Sequence, residues 1–311
     1  SLELEIKSPA ELETRYTLVV TVLTNKGDDW AEIVLPYDKF NTLRDLRCQV
    51  YDAQGFPVKT YEKNKFQDVT YFDDVTMADD SRYRYLDLSN QHPPYTLELS
   101  YTIQSKSALF CPDYFPQPHF HTAVEKSFCT VKVPAGETLR FQCARSPEPD
   151  TTSENGFKIY KWSFQNLRAI PDEPYNLPLS SLAPAVRLNA PKFQIGPFSG
   201  DFNSWHGLAR WNQQMQQALP PLDKAAGDEI QRLTAGLPER EKIRAVYRYV
   251  QNSTRYVSIQ LGVGGWQPFD PNFVHKKKYG DCKALSWYTK SLLDAVGIPA
   301  YYTLVSAGDA P

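Results

Sequence analysis

The chain has 311 residues, which is long enough for two domains. A hydrophobic content of 41% with 13% aromatic residues indicates packed cores and excludes a disordered tail. A formal net charge of −2 argues against nucleic acid as the main partner, because neutralising phosphates needs a basic surface. No run approaches the roughly 20 apolar residues that would span a bilayer, so we expect no membrane span in this chain.

The first half of the chain shows the period of two that is typical of strands. Apolar and polar residues alternate over 16–22 and again, most clearly, over 95–103. Shorter alternating runs occur at 31–35, 46–50 and 157–164. Strands at this spacing, with no helix between them, predict an antiparallel β-sandwich over residues 1–170.

The chain has five cysteines, an odd number. If Cys282 stays free, the other four can form two bridges or none. Alternating residues on either side of 134–137 predict a hairpin in which Cys129 and Cys143 lie nearly opposite each other. We favour free buried thiols there over a cross-strand disulfide, and the disulfide state remains open.

A loop over residues 110–121 is rich in proline and aromatic residues. His119 and His121 lie on one side of it if the loop is extended, which is the arrangement of two metal ligands. Two ligands alone leave a metal site open, and a long crossover loop is the plainer interpretation. We therefore expect no metal and no cofactor.

Residues 171–200 contain several prolines and no periodicity, which predicts a semi-rigid linker. From residue 201 the apolar spacing becomes helical, and three helices are predicted. The first is marked by Trp205, Leu208, Met215 and Leu219, with Trp211 at its flank. The second is predicted over 228–235. The third begins with Pro238 as its first residue, and its buried stripe is predicted to hold Ile243, Val246, Tyr247 and Val250.

The most informative stretch surrounds Cys282. Residues 276–281 form a basic approach that ends in Gly-Asp, and Cys282 then opens an apolar helix pattern marked by Leu285, Thr289, Leu292 and Val296. Asp281 suits the N-cap, which places Cys282 in the first helical turn. There the unpaired backbone N–H groups and the positive end of the helix dipole favour a thiolate. The alternative is a buried structural cysteine at the start of a core helix.

This region resembles the transglutaminase-like superfamily, papain-related thiol enzymes whose cysteine begins a helix after a Gly-Asp-Cys type of turn. The similarity is carried by Tyr279-Gly280-Asp281-Cys282-Lys283 and by the helix end at 292–298. In one bacterial branch a two-sheet domain of unknown function precedes the enzyme, and residues 162–184 are similar to its exit. The resemblance implies that residues 201–311 are the front, Cys-helix half of a transglutaminase/papain-like α+β domain, in a multidomain protein of periplasmic or secreted location.

The resemblance also implies an activity, with a thioester at Cys282 and protein or peptide amides as substrates. Hydrolysis and cross-linking share that intermediate, and the sequence does not separate them. The backbone N–H of Cys282 would meet the oxyanion, with Gln267 as a second donor. Trp266 would line the cleft, and core packing is its alternative.

The base of such an enzyme is a histidine on a strand after the Cys helix, oriented by an Asp or Asn. All five histidines here precede Cys282. Residues 300–305 predict the first strand after the helix, so we expect the catalytic His and Asp beyond residue 311 and this chain to be inactive by itself. His275 acting as an unusual base is a remote alternative. A non-catalytic scaffold, in which the β-sandwich binds a partner, is the competing hypothesis.

Overall fold

The computed structural model of the chain describes residues 1–71 and 76–305. The chain divides into two units: the first holds residues 1–71 and 81–211, and the second holds the described parts of 72–80 and 212–311. The first unit is mostly β, and most of the helices lie in the C-terminal part of the chain.

The strands of the first half alternate with short turns. They are, in chain order, β1 Leu2–Ser8, β2 Glu11–Val22, β3 Glu32–Tyr37, β4 Asn41–Tyr51, β5 Pro57–Glu62, β6 Gln67–Thr70, β7 Thr76–Asp79, β8 Arg82–Asp87, β9 Tyr95–Ser105, β10 Val124–Pro134, β11 Arg140–Ala144, β12 Asp150–Glu154 and β13 Phe157–Leu167. All of these except β7 belong to the first unit.

Two sheets dominate the first unit. A large sheet has eight strands in the order β12-β13-β10-β1-β2-β9-β4-β5, and a smaller sheet has the order β3-β8-β6. Neighbouring strands are antiparallel except β1 and β10, which are parallel. The predicted antiparallel sheet therefore contains one parallel pair.

A core fills the space between these two sheets. The period of two places Leu97 and Leu99 of β9 inside, where they pack with Ile33 of β3 and Leu86 of β8. Burying a side chain of this size stabilises the fold by about 1.5–3 kcal/mol. The alternating pattern in the sequence is thus explained by one face of each strand being covered.

The predicted hairpin between Cys129 and Cys143 is wrong. Cys129 lies in β10, where it is paired with Leu2 of β1 and Trp162 of β13 and is completely buried. Cys143 lies in β11, which pairs with a later strand in a separate two-stranded sheet. The turn after β10 leads β11 away because β10 already has a partner on each side. All five cysteines are free.

The next segment contains further elements of the first unit. They are the one-turn helix α1 Leu179–Leu182 and the strands β14 Ala185–Asn189, β15 Lys192–Ile195 and β16 Phe198–Asp201. β14 pairs with β11, and β15 pairs with β16. The domain limits predicted from the sequence stay a prediction.

The second half of the chain is mainly helical. Its elements are α2 Trp205–Gln217, α3 Lys224–Leu233, α4 Glu239–Ser253, β17 Arg255–Tyr256, β18 Ser258–Gln260, α5 Pro271–Lys277, β19 Tyr279–Gly280 and α6 Cys282–Ala295. Among the described residues, no helix combines the length and the apolar character needed to cross a bilayer.

Several predicted helix faces are rotated from their expected positions. In α2 the buried aromatic residue is Trp211, whereas Trp205 is 84% exposed. In α4 Val246 and Val250 are buried, but Ile243 and Tyr247 are exposed.

Two further expectations about these elements are wrong. Pro238 is the N-cap of α4 and not its first residue. In α6 the fully buried residues are Ala284, Tyr288 and Leu292. The predicted stripe began one residue later, at Leu285 and Thr289, and agrees with the structure at Leu292. Spacing alone indicates that a helix is amphipathic, but the neighbouring helices decide which side is covered.

The strand predicted over 255–259 is divided into two short strands. β17 pairs in parallel with β19, and β18 pairs in parallel with β7. The glycine loop after it forms a 3₁₀ turn over Gly262–Gly265. The strand predicted over 300–305 is absent: these described residues have no regular structure.

Candidate active site around Cys282

Cys282 is the first residue of the 14-residue helix α6, and its side chain is exposed. The sequence prediction of its position at the start of a helix is confirmed by these bounds. Gly280 lies two residues earlier, where a Cβ atom would come within 2.7 Å of the Ala284 Cβ. Glycine therefore lets the chain approach its own helix closely enough to place the thiol at the helix start.

Asp281 caps α6 from a buried position. Only 1% of the residue is exposed, and its Oδ1 accepts a hydrogen bond of 2.9 Å from the backbone N–H of Ala284. Its other oxygen forms an ion pair with Lys283, whose side chain is 14% exposed. A buried carboxylate is tolerated here because both the helix amide and the ammonium group stabilise it.

A stripe of polar residues runs along β17 and β18 beside this helix start. Gln260 accepts a hydrogen bond from Lys283 Nζ at 3.4 Å and donates from Nε2 to Ser258 Oγ at 3.2 Å. Tyr256 of β17 belongs to the same stripe and lies opposite Gly280 of β19, two residues before Cys282. Polar side chains therefore border the start of the helix that carries the thiol.

Two tyrosines lie near Cys282. Burial raises the pKa of Tyr256, and the nearby Cys282 raises it further. Burial likewise raises the pKa of Tyr302 to about 12, with Cys282 as the second cause. The ring of Tyr302 meets that of Trp287 edge-on, with centroids 6.1 Å apart. Both phenols therefore remain protonated at neutral pH.

The sequence analysis did not place four residues beside the helix start: Tyr256, Ser258, Gln260 and Lys283. The signal was available in Tyr-Val-Ser-Ile-Gln, in which the polar residues at 256, 258 and 260 alternate with apolar ones. This alternation predicts a strand with one polar face. That the polar face lies against the Cys helix depends on the pairing of β17 with β19, which the sequence does not specify.

Trp266 and Gln267 follow the 3₁₀ turn. Trp266 is 39% exposed, and the side-chain amide of Gln267 donates to the backbone oxygen of Met215 at 2.9 Å. That hydrogen bond engages the group that was predicted to act as an oxyanion donor. Roles for Trp266 and Gln267 in the site stay predictions.

His275 belongs to a different cluster. Its Nδ1 lies 2.8 Å from the hydroxyl of Tyr288, and its Nε2 lies 3.6 Å from the carboxylate of Glu229. Burial lowers the pKa of His275, repulsion from Lys278 lowers it further, and Glu229 only partly opposes this. Tyr288 is six residues beyond Cys282, which is about 9 Å along the helix axis. The imidazole is therefore engaged with a buried residue, away from the helix start.

The loop over residues 110–121 holds the two histidines whose arrangement resembles a pair of metal ligands. His119 Nδ1 lies 3.7 Å from the carboxylate of Asp29, and its ring meets the ring of Trp30 edge-on. Within residues 1–71 and 76–305, no group of three or more His, Cys, Asp or Glu residues is arranged to hold a metal ion.

Comparison with known proteins identifies the front part of the chain. A family described as a domain of unknown function with a solved structure, DUF3857, matches residues 9–171, slightly more than half of the chain. No curated protein matches the sequence.

One solved structure is similar in fold over nearly the whole chain. It is the crystal structure of a candidate protease from Parabacteroides distasonis, with a TM-score of 0.71 and 18% identity. The alignment covers 96% of this chain and 58% of that protein, so the chain spans little more than half of that protein's length. At this identity the likeness shows the fold alone.

Two peptidase structures match more weakly. Aminopeptidase A from Legionella pneumophila has a TM-score of 0.30 and 14% identity, covering 63% of this chain and 21% of that one. An M1 zinc metallopeptidase from Deinococcus radiodurans has a TM-score of 0.27 and 12% identity, covering 75% and 51%. Similarity at this level supports no argument about the present chain.

Proposed function

We propose that this chain, which belongs to the DUF3857 family, forms part of a transglutaminase-like cysteine peptidase or amidase that acts on protein or peptide amides through a thioester at Cys282. The observation that supports this most directly is the exposed thiol at the first residue of α6. A helix N-terminus stabilises negative charge, and an accessible thiolate is the reactive form of cysteine.

The other cysteines provide an internal comparison. Burial raises the pKa of Cys48 to about 11 and that of Cys129 to about 12, so both remain protonated and inert. Burial also raises the pKa of Cys111. Cys282 is exposed, whereas Cys48 and Cys129 are buried and Cys111 is half-buried, and a nucleophile that must meet a substrate requires such exposure.

In the proposed reaction the sulfur of Cys282 attacks the carbonyl carbon of an amide. A C–S bond forms, and the C–N bond then breaks as the leaving nitrogen takes a proton from a general acid. The backbone N–H of Cys282 stabilises the oxyanion, with Gln267 as the predicted second donor and Trp266 as a cleft wall. Water or an amine then releases the acyl group from sulfur.

The proton donor is proposed to lie outside this chain. The superfamily resemblance implies a histidine and an Asp or Asn that follow the Cys helix, and no histidine follows Cys282 in this sequence. The similar protein from Parabacteroides distasonis is longer than the region matched here. We therefore propose that the catalytic His and Asp lie in a following segment. From the superfamily resemblance alone we also propose that the protein acts in the periplasm or outside the cell.

A non-catalytic scaffold is the competing function. The observation that favours it is the engagement of His275 with Tyr288, which removes that imidazole as a partner of Cys282. In that case the mostly β first unit would bind a partner and the thiol would serve no reaction.

The test uses the longer protein that contains this sequence. Release of a fluorophore from peptide amides is measured for the unchanged protein, for Cys282→Ala and for Cys143→Ala, which alters a half-buried free cysteine. We expect a fall in kcat/KM of at least about 10³-fold for Cys282→Ala only. Turnover that survives Cys282→Ala would contradict the proposal. A protein that neither turns over nor acquires an acyl group at Cys282 would favour the scaffold.

A further inference from the structure

We propose that Lys283 is a positioning residue for Cys282 that acts through Asp281: it neutralises the carboxylate that caps α6, so that the cap does not oppose a thiolate one residue later. This inference deepens the proposed function and rests on it for its catalytic meaning. Its physical content, two opposite charges that control the reactivity of one thiol, does not require any substrate.

The cap of α6 creates an electrostatic conflict. Asp281 directs its Oδ1 at the backbone N–H of Ala284, at 2.9 Å, from a position that is almost completely buried. Covalent geometry keeps a carboxylate of one residue within about 10 Å of the sulfur of the next residue. At an effective dielectric constant of about 20, the repulsion of two negative charges at that distance shifts the equilibrium between thiolate and thiol by roughly tenfold. An unpaired carboxylate would therefore offset the effect of the helix N-terminus on Cys282.

The contacts of Lys283 remove this conflict. Its Nζ pairs with Oδ2 of Asp281, the oxygen that the helix amide does not use, and also donates to Gln260 Oε1 at 3.4 Å. The Lys283 side chain is largely buried, so its ammonium group is fixed at the cap instead of being freely solvated. The two charges on either side of Cys282 then add to zero, and the unpaired amides of the first helical turn remain to favour the anion.

This ion pair depends on the extended backbone of the cap residue. Residues two apart on a helix do not face each other, so side chains at 281 and 283 would not meet if both residues were helical. Asp281 has φ −81° and ψ −176°, which lets its side chain turn back to the first turn of the helix. The pair joins the residue before Cys282 to the residue after it. It therefore also restrains the backbone N–H of Cys282, the proposed oxyanion donor.

A purely structural role is the alternative for this pair. A buried ion pair can hold the start of α6 without any effect on the thiol, and loss of either partner then acts in the same way, by loosening the helix start. A charge effect has the opposite symmetry, because loss of the ammonium leaves a negative charge beside the sulfur and loss of the carboxylate leaves a positive one. The direction of the effect of each single variant therefore separates the two roles.

The experiment measures alkylation of Cys282 by iodoacetamide at low ionic strength in the 311-residue chain, followed by mass spectrometry of the peptide that contains it. The thiolate attacks the methylene carbon, a C–S bond forms and iodide leaves. The variants are Lys283→Met, Asp281→Asn, which keeps an oxygen for the cap, and the two changes combined. Lys290→Met is the matched control, since Lys290 pairs with Asp294 on the same helix, about 12 Å farther along its axis than Cys282.

At pH 6.5 we expect Lys283→Met to slow alkylation and Asp281→Asn to speed it, each by at least about threefold, because solvent screening reduces the full tenfold effect. The double variant and Lys290→Met should match the unchanged chain within about twofold. All differences should narrow at pH 10, where the sulfur is ionised beside either charge. Equal rates for Lys283→Met and the unchanged chain at pH 6.5 would overturn the inference. So would changes in the same direction for the two single variants, differences that are the same at every pH, or a Lys290→Met variant as slow as Lys283→Met.

A second comparison applies even if Lys283→Met fails to fold. Asp281→Asn and the double variant share the same cap and differ only in the ammonium group, so the double variant should react at least about threefold more slowly at pH 6.5. Equal rates for these two variants would overturn the inference. No peptide substrate is needed, so a failed peptidase assay with the expected alkylation order would reject the proposed function alone. Turnover that is lost in Cys282→Ala, with alkylation that is insensitive to residues 281 and 283, would reject this inference alone.

Discussion

Asp281→Asn tests the physical arrangement at the start of α6. The change keeps a side-chain oxygen that can accept from Ala284 N, but it removes the charge that faces Lys283. Asn is as good an N-cap as Asp, so the cap itself should survive. What is lost is the partner of an ammonium group whose side chain is only 14% exposed.

The expected cost follows from that burial. Breaking a buried ion pair by removing one partner costs about 3–5 kcal/mol. The lower end applies, because Lys283 keeps the oxygen of Gln260 at 3.4 Å and some access to water. We therefore expect about 3 kcal/mol for Asp281→Asn, and about 1 kcal/mol more for Asp281→Ala, which also loses the cap.

The assay is native-state amide exchange of the peptide that covers α6, because local opening is measured there without unfolding the other unit. A cost of about 3 kcal/mol corresponds to roughly 150-fold faster exchange. The control is Lys283→Met in the Asp281→Asn background, which removes the unpaired ammonium. It should exchange more slowly than Asp281→Asn alone.

Two results would refute the reasoning. The first is exchange for Asp281→Asn within about twofold of the unchanged chain, which would mean that the pair contributes little. The second is a double variant whose loss equals the sum of the losses of the single variants, because interacting partners must show coupling.

Two further predictions concern the same helices. Burial lowers the pKa of His275 below its ordinary 6.5, and Lys278 lowers it further. The unfolded chain therefore binds a proton at His275 more readily than the folded chain does, and stability should fall as pH drops below about 6.5. His275→Gln should make the urea midpoint of unfolding depend less on pH between pH 5 and 7.5. A pH dependence equal to that of the unchanged chain would contradict this. Gly280→Ala places a Cβ 2.7 Å from Ala284 Cβ and should cost about 1–3 kcal/mol by α6 exchange. Gly264→Ala meets nothing within 4 Å and should be neutral, and equal costs would contradict the argument.

Some features of the fold were predictable because they depend on neighbours in sequence. The alternation over 95–103 predicted the strand β9, in which Tyr95, Leu97 and Leu99 are buried and Tyr101 and Ile103 are half-buried. The Gly-Asp-Cys turn gave the start of α6, because an Asp side chain reaches the amide three residues later whatever the tertiary structure is.

Other features were not predictable, because they depend on which distant segment becomes the partner. Cys143 was expected opposite Cys129, but β11 pairs with β14. Ile243 and Tyr247 were expected in the buried face of α4, but that face is centred on Val246 and Val250. In each case the sequence shows that a face is apolar and gives no information on the element that covers it.

The same division applies to the site. The amino-acid sequence by itself placed Cys282 at the first turn of a helix, since caps and helical spacing are local interactions. Only the tertiary structure decided that Tyr256, Ser258 and Gln260 lie beside the start of that helix, through the pairing of β17 with β19 and of β18 with β7. Parallel pairing joins segments that are far apart in the chain, and the free energy of such contacts depends on the whole fold.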